Sequence, residues 1–395
     1  MPHHDSQPRA ALLAVLALAV APAIGLGIGR FAYALVLPDM QADFGWSYSE
    51  AGLPNALNAF GYFVGAVLAR RAAALAGLLR LVIASSVVAA LATLLSAAVG
   101  DLATLCALRV VSGLAGAFGL VAGGACAIAF SEGAGERRSL AISAFYVGPP
   151  FGIVLSALVA PAALAFGGEG AWRAAQAALG VASLALLGTF LSPSLRRVGA
   201  ASIDAAGRRA PLAPMAPMLA GYACFGAGYI AYMTFMIAFL RQDAAPLVEQ
   251  SAFWSAIGLA GLVSPLVWAG AFRRLDGGLG AAAAMLVTTA GAAAPLLTRA
   301  FAGEIVSAVV FGLGVFATTA ATTVFLQRSL PPAEWASGVG AMTVAFSLGQ
   351  TAGPVVSGAA TDLFGGLGAG LGVGAALLLL GALLAVAQKP LARRP

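Results

Sequence analysis

Two arginines stand inside long apolar runs, Arg30 within residues 10–37 and Arg109 within residues 102–129. Uncompensated charge at the centre of a bilayer helix costs about 2.5 to 3.5 kcal/mol on insertion scales, so such a residue points to function. A guanidinium presents a planar fork of N–H donors that matches a carboxylate or another oxyanion. Arg30 lies eight residues before Pro38, and Arg109 lies seven into its own run. At 1.5 Å per helical residue, both sit roughly 10 to 12 Å below the same membrane surface. One anion shared between them is the chemistry this spacing suggests. The competing role is structural: a guanidinium also snorkels to the interface or bonds free carbonyls near Gly-rich turns. For Arg109 both roles stay open.

Polar side chains accompany the arginines. Asn55, Asn58 and Tyr62 follow one another at i, i+3 and i+7, which is one helix face. Tyr33 follows Arg30, Tyr229 and Tyr232 lie on a later span, and Gln350 sits about 15 Å in from the outer end of its own. The candidate substrate-binding set is therefore Arg30, Tyr33, Asn55, Asn58, Arg109, Tyr229, Tyr232 and Gln350. Tyr62 and the Thr318, Thr319, Thr322 and Thr323 cluster read as interhelical bonding groups.

Catalytic chemistry has no comparable footing. The two histidines, His3 and His4, lie in the N-terminal tail, so a buried Ser/His hydrolase lacks its base. No paired carboxylates fall within a span. Cys106, Cys126 and Cys224 have no CxxC spacing, and Met233, Met236 and Cys224 read as core packing in preference to a soft-metal site. No enzyme, metal or cofactor is expected. Gly25-x-Gly27-x-Gly29 follows no strand and reads as close helix packing, not a phosphate loop.

The elements that must position these residues follow from composition. Of 395 residues 61% are hydrophobic and 9% charged, and mean hydropathy is +0.95, so lipid is the solvent for most of the chain. Spans are expected near 10–37, 49–69, 79–99, 102–129, 139–165, 171–191, 213–240, 252–271, 278–297, 304–328, 335–360 and 364–388. The run after Arg9 exceeds a signal-peptide core and reads as a retained first helix. Sixteen of the twenty-one basic residues fall on the side of the termini, while nine of the fifteen acids fall opposite. The positive-inside rule then makes both termini cytoplasmic. The net charge of +6 reads as topology, and without a basic, aromatic-interleaved run nucleic acid is not an expected partner.

Internal repetition divides the chain. Gly27-Ile-Gly29-Arg30-Phe-Ala-Tyr33 recurs as Gly226-Ala-Gly228-Tyr229-Ile-Ala-Tyr232, and Gly148, Gly152 and Ser156 recur as Gly349, Gly353 and Ser357. Arg70-Arg71 is mirrored by Arg273-Arg274. Two homologous halves are expected, 1–191 and 213–395, joined by a linker at 192–212. Gly148, Pro149, Gly152, Gly349, Gly353 and Pro354 are the candidate gating or helix-packing positions, since Pro149 and Pro150 remove backbone donors.

This pattern resembles the major facilitator superfamily. The resemblance rests on twelve spans in two sixes, Arg109-Val-Val-Ser-Gly113 on the fourth span, Gly148-Pro149-Pro150-Phe151-Gly152 on the fifth and Trp172-Arg173 opening the sixth. Gly27-Ile-Gly-Arg-Phe-Ala-Tyr-Ala-Leu-Val-Leu-Pro-Asp-Met40 and Gly52-Leu-Pro-Asn-Ala-Leu-Asn-Ala-Phe-Gly-Tyr62 are similar to the YbfB/YjiJ-like branch. The resemblance implies an all-α integral membrane fold and a secondary transporter of the inner membrane, its halves alternating around a central site. With the buried arginines, the expected substrate is a small organic anion, a carboxylate foremost, with a proton or counter-anion as partner in transport and the chain monomeric. An exporter of amphiphilic drugs or metabolites is the alternative, and a non-transporting sensor or assembly factor a further one. One departure stands out: the family's Gly-x-x-x-Asp-Arg loop after the second span reads Gly65-Ala-Val-Leu-Ala-Arg70 here, without its aspartate. Asp362 repeats part of that pattern at the opposite end of the eleventh span.

Overall fold

The computed structural model of the protein describes residues 6–131, 143–168, 170–197 and 209–391. His3, His4, Arg137, Arg138 and most of the 192–212 linker lie outside the described residues. Among those described, twelve helices are long and apolar enough to cross a membrane. They are α1 Ala11–Phe44, α2 Tyr48–Ala76, α3 Leu78–Ala98, α4 Leu102–Ser131, α5 Ser143–Leu164, α6 Ala171–Leu191, α7 Ala213–Gln242, α8 Leu247–Arg274, α9 Leu279–Leu297, α10 Phe301–Ser329, α11 Ser337–Phe364 and α12 Leu367–Val386. The class and number of elements match the sequence reading.

The first span differs in length. The sequence places its end at residue 37, ahead of Pro38, yet the helix runs on to Phe44 with Pro38 inside it. Proline removes one backbone donor, but residues 33–37 are all buried, and this packing holds the chain helical past the gap. Arg30 thus lies fourteen residues from the end of its helix, deeper along it than a stop at Pro38 implies.

The helices pack into two compact units, Met1–Val36 with Gly61–Asp204, and Leu37–Phe60 with Ala205–Pro395. In the first unit α3 packs on α4, and α5 packs on the middle of α1. Leu18, Val82, Cys126 and Phe145 belong to one apolar cluster there. In the second unit α7 is buried on nearly every face and packs against α11 and α12, while α10 packs on α8 and α9. The tip of the α1–α2 hairpin, residues 37–60, belongs to the first half in sequence and to the second unit in packing.

Small residues permit these close crossings. A side chain at Gly25 would meet the Gly116 Cα at 2.7 Å, and one at Gly27 would meet Gly152 Cα at 2.5 Å and Pro149 O at 2.6 Å. Gly148 and Gly152 of α5 lie against the carbonyls of Ala19 and Ala23, and Gly349 and Gly353 of α11 lie against those of Ala223 and Ala227. The repeated glycine pair therefore does the same packing in each unit, α5 on α1 and α11 on α7. Gly27→Leu drives a side chain into backbone atoms and is expected to lower stability by about 1 to 3 kcal/mol or more. Gly340→Ala, with nothing within 4 Å of the added carbon, is the control and is expected to be neutral or slightly stabilising. Thermal unfolding in detergent reads both.

Candidate functional site

The middle of α1 is not an ordinary α-helix. Ala23–Phe31 forms a nine-residue π-helix that begins directly after Pro22. Such wide turns are rare and concentrate at functional sites. Its sequence, Ala-Ile-Gly-Leu-Gly-Ile-Gly-Arg-Phe, supplies three glycines, and two of them receive neighbouring backbone from α4 and α5. The end of a helical segment leaves carbonyls short of chain partners. Arg109, 4% exposed, serves them: Nη1 donates to Gly29 O, and Nη2 donates to Arg30 O at 3.1 Å. The Tyr33 ring lies 5.0 Å from the same guanidinium.

Arg109 and Arg30 come together, because the first is bonded to the backbone of the second. Their guanidinium groups have different surroundings. Arg109 is taken up by carbonyls, whereas Arg30, 2% exposed, has Nε and Nη2 without a hydrogen-bond partner among the described residues. Its carbon Cζ stands 5.8 Å from the Tyr62 ring and 6.0 Å from the Phe31 ring. Tyr62 is thus the neighbour of Arg30 that spacing alone assigned to helix bonding, and Tyr33 sits by Arg109 instead. Behind Arg109 is a small cavity with room for about one water molecule, lined by Tyr33, Thr93, Ser96, Arg109, Ser112 and Gln176. Thr93 and Ser96 donate their hydroxyls to their own helix, leaving oxygens as acceptors, and Ser112 Oγ has no partner among the described residues.

The other candidates lie in the second unit. Asn55 donates to Thr234 Oγ1 at 2.8 Å, joining α2 to α7. Asn58 is buried at 1% exposure. Gln350 Nε2 donates to the Tyr229 hydroxyl, and Gln350 Oε1 has no partner among the described residues. Tyr229 belongs to a stack of rings with Phe225, Phe346 and Tyr222. Tyr232 pairs with Ser307 Oγ at 2.6 Å and stacks on Phe311, so it is tied into the packing of α7 on α10. Thr318, Thr322 and Thr323 donate to carbonyls of their own helix, while Thr319 and Thr322 also hydrogen-bond the Tyr222 side chain of α7, the interhelical role expected of the cluster. Pro149 and Pro354 both present their carbonyls to glycines, Pro149 to Gly27 and Pro354 to Gly52. The buried acids Glu304 and Glu334 escaped the sequence reading and lie at helix ends.

Among the described residues, twelve helices long and apolar enough to cross a membrane, with a buried cation on the first, define an α-helical membrane protein. Residues 22–386 match the family described as the uncharacterised MFS-type transporter YbfB, and the chain belongs to it. No curated protein matches in sequence. Solved structures share the fold. A bacterial homolog to the human lysosomal transporter Spinster, inward-facing and unoccupied, aligns with TM-score 0.69 and 14% identity over 97% of this chain and 94% of its own. The occupied form aligns at 0.69 and 17%, over 96% of each. A point mutant of the nucleoside transporter NupG aligns at 0.70 and 14%, over 95% of this chain and 98% of its own.

The two arginines should separate in a stability measurement. Arg109→Ala strands two buried carbonyls at about 1 to 3 kcal/mol each, an expected loss of about 2 to 6 kcal/mol. Arg30→Met removes a charge that satisfies no carbonyl and is expected to stay within about 1 kcal/mol of the parent or to rise above it. Thermal unfolding of purified protein in one detergent decides this, and equal losses would erase the distinction.

Proposed function

We propose that the protein is a secondary transporter that carries a small organic anion, a carboxylate foremost, across the inner membrane by alternating access, with both termini cytoplasmic. The observation that carries this reading is Arg30: a buried guanidinium with two N–H groups open, held in place by a π-helix that Arg109 secures. A carboxylate would accept both donors side by side. Arg30 is closed off here, so a solute reaches it only when the surrounding helices part, as alternation requires. Tyr62, whose ring lies 5.8 Å from the Arg30 guanidinium, is the orienting group nearest the charge. Among the described residues the acids lie at or near helix ends, so uniport, exchange against another anion, or proton entry with the solute fits better than a buried acidic relay. A monomer is sufficient for this cycle.

The ring stack of Tyr222, Phe225, Tyr229 and Phe346 favours a second reading, an exporter of flat amphiphilic compounds. Ligand charge separates the two. Purified protein is first screened by thermal shift against mono- and dicarboxylates, amino acids, sugars and organic cations, since a ligand of the folded form raises its stability. Uptake of the acid that binds best is then measured in proteoliposomes. Arg30→Gln is expected to lower kcat/KM about tenfold to a hundredfold, the weight of one charged hydrogen-bond pair. Full uptake in Arg30→Gln, or stabilisation by cations alone, would sink the anion reading.

A further inference from the structure

The start of α2 accounts for all four of its free backbone donors, and it does so in two different ways. Ser47 and Glu50 form a capping box: Glu50 N donates to Ser47 Oγ at 3.2 Å, and Ser47 N donates to Glu50 Oε2 at 2.9 Å. Ala51 N donates to Ser47 O at 2.9 Å, the first bond of the regular ladder. The box leaves Tyr48 N and Ser49 N open. Both are taken by Asp362, from the last turn of α11: Tyr48 N reaches Oδ1 at 2.9 Å and Ser49 N reaches Oδ2 at 2.9 Å. The Ser49 hydroxyl adds a third bond to Oδ2 at 2.6 Å. By contrast the start of α4 is capped within its own turn, by Asp101 on Thr104. The cap of α2 comes from 313 residues away.

The contacts around this carboxylate fit the same purpose. Gly358 lies against Tyr48 O, and a side chain at Gly52 would meet Pro354 O at 2.6 Å, so α2 and α11 touch through backbone. At the end of α1, Asp39 accepts from Arg241 of α7 at 2.7 Å, and Arg241 Nε also donates to Gln250 at 3.1 Å. Asn55 to Thr234 completes the row. All of these residues fall within one packed unit, where Leu37–Phe60 rests on α7 and α11.

We propose that Asp362 is the bolt of a gate at the end of the helices opposite the chain termini. Seated on the α2 N-terminus, with Arg241–Asp39 as a second tie, it keeps residues 37–60 closed on α7 and α11, and it must release them whenever that end opens. A carboxylate suits the task because it favours the positive end of the helix, while both donors can turn to water once it leaves. The site borders solvent, so the closed state is held without being locked. The proposal rests on the transporter reading for its purpose but not for its test.

The test uses the full chain, its three cysteines replaced by alanine, with spin labels on cysteines placed at the exposed Ala42 and Leu363 and the protein in lipid nanodiscs without added solute. Electron–electron distance measurements on the parent are expected to give one short distance. Asp362→Ala is expected to raise a longer, open population about tenfold or more, as loss of a charged hydrogen bond would. Ser49→Ala should shift it less, and Asp362→Glu should restore closure in part. A distance distribution unchanged in Asp362→Ala overturns the proposal, as does a fall in thermal stability with no new distance. Because no solute is present, a protein that carries no anion can still obey the bolt, and an anion carrier can still lack it.

Discussion

Lipid supplies no hydrogen bonds, so a helix that leaves its regular ladder inside a membrane must find its missing partners within the protein. That constraint governs the π-helical stretch in the middle of α1. The π-helix Ala23–Phe31 ends on carbonyls that Arg109 fills, and the side chain of Arg30 projects from that same stretch. Glycines at 25 and 27 let α4 and α5 close on the wide turn. The position of Arg30 is thus set by another helix's charge. The same logic operates at the membrane edge, where the first two open donors of α2 are completed by Asp362 and not by a neighbour in sequence.

Much of this fold was legible in the chain because apolar length is a coarse and cooperative signal. Twelve runs of lipid length require twelve helices whatever their details, and the end at Pro38 was misplaced because burial of residues 33–37 outweighs one lost donor. The repeated glycines were informative as well, since a residue without a side chain has few other uses in a crossing of two helices. Arg30 and Arg109 were visible for the opposite reason: charge is rare in such runs. What spacing does not encode is which guanidinium meets carbonyls and which is left open. That choice depends on the backbone state of α1, and no local propensity marks a π-helix in a glycine-rich sequence. Tyr33 lies by Arg109 and not by Arg30 for the same reason, because the wide turn alters which residues of α1 share a face, and Tyr62, read as a helix-bonding group, stands by Arg30. Asp362 stood out as a stray motif, but its partners lie more than three hundred residues away. The Ser47–Glu50 box shows locally only that two donors remain to be filled.

The two halves of the repeat illustrate how a common scaffold has diverged. Glycine pairs pack α5 on α1 and α11 on α7 in the same manner, so the backbone arrangement persists in both units. At the equivalent place on α7 the helix is regular, and the residue matching Arg30 is Tyr229, whose hydroxyl is met by Gln350 and whose ring is stacked. One position is charged and under-bonded. Its counterpart is neutral and partnered. A purely structural demand would have been met alike on both sides, as it is for the glycines.

The cost of Arg30 makes the same point in energetic terms. A buried ion with donors unfilled is expensive, and Tyr62 and Phe31 offer its charge only the weak attraction of ring faces near 6 Å. An apolar side chain of similar volume would pack there at less cost, so stability alone does not explain an arginine at this site. An anion arriving between the helices would satisfy the open donors and remove part of that penalty, and its binding would draw on strain already present in the empty protein. That strain favours occupancy and opposes release, so a carrier, whose site has to be vacated in every cycle, can hold only a limited amount of it.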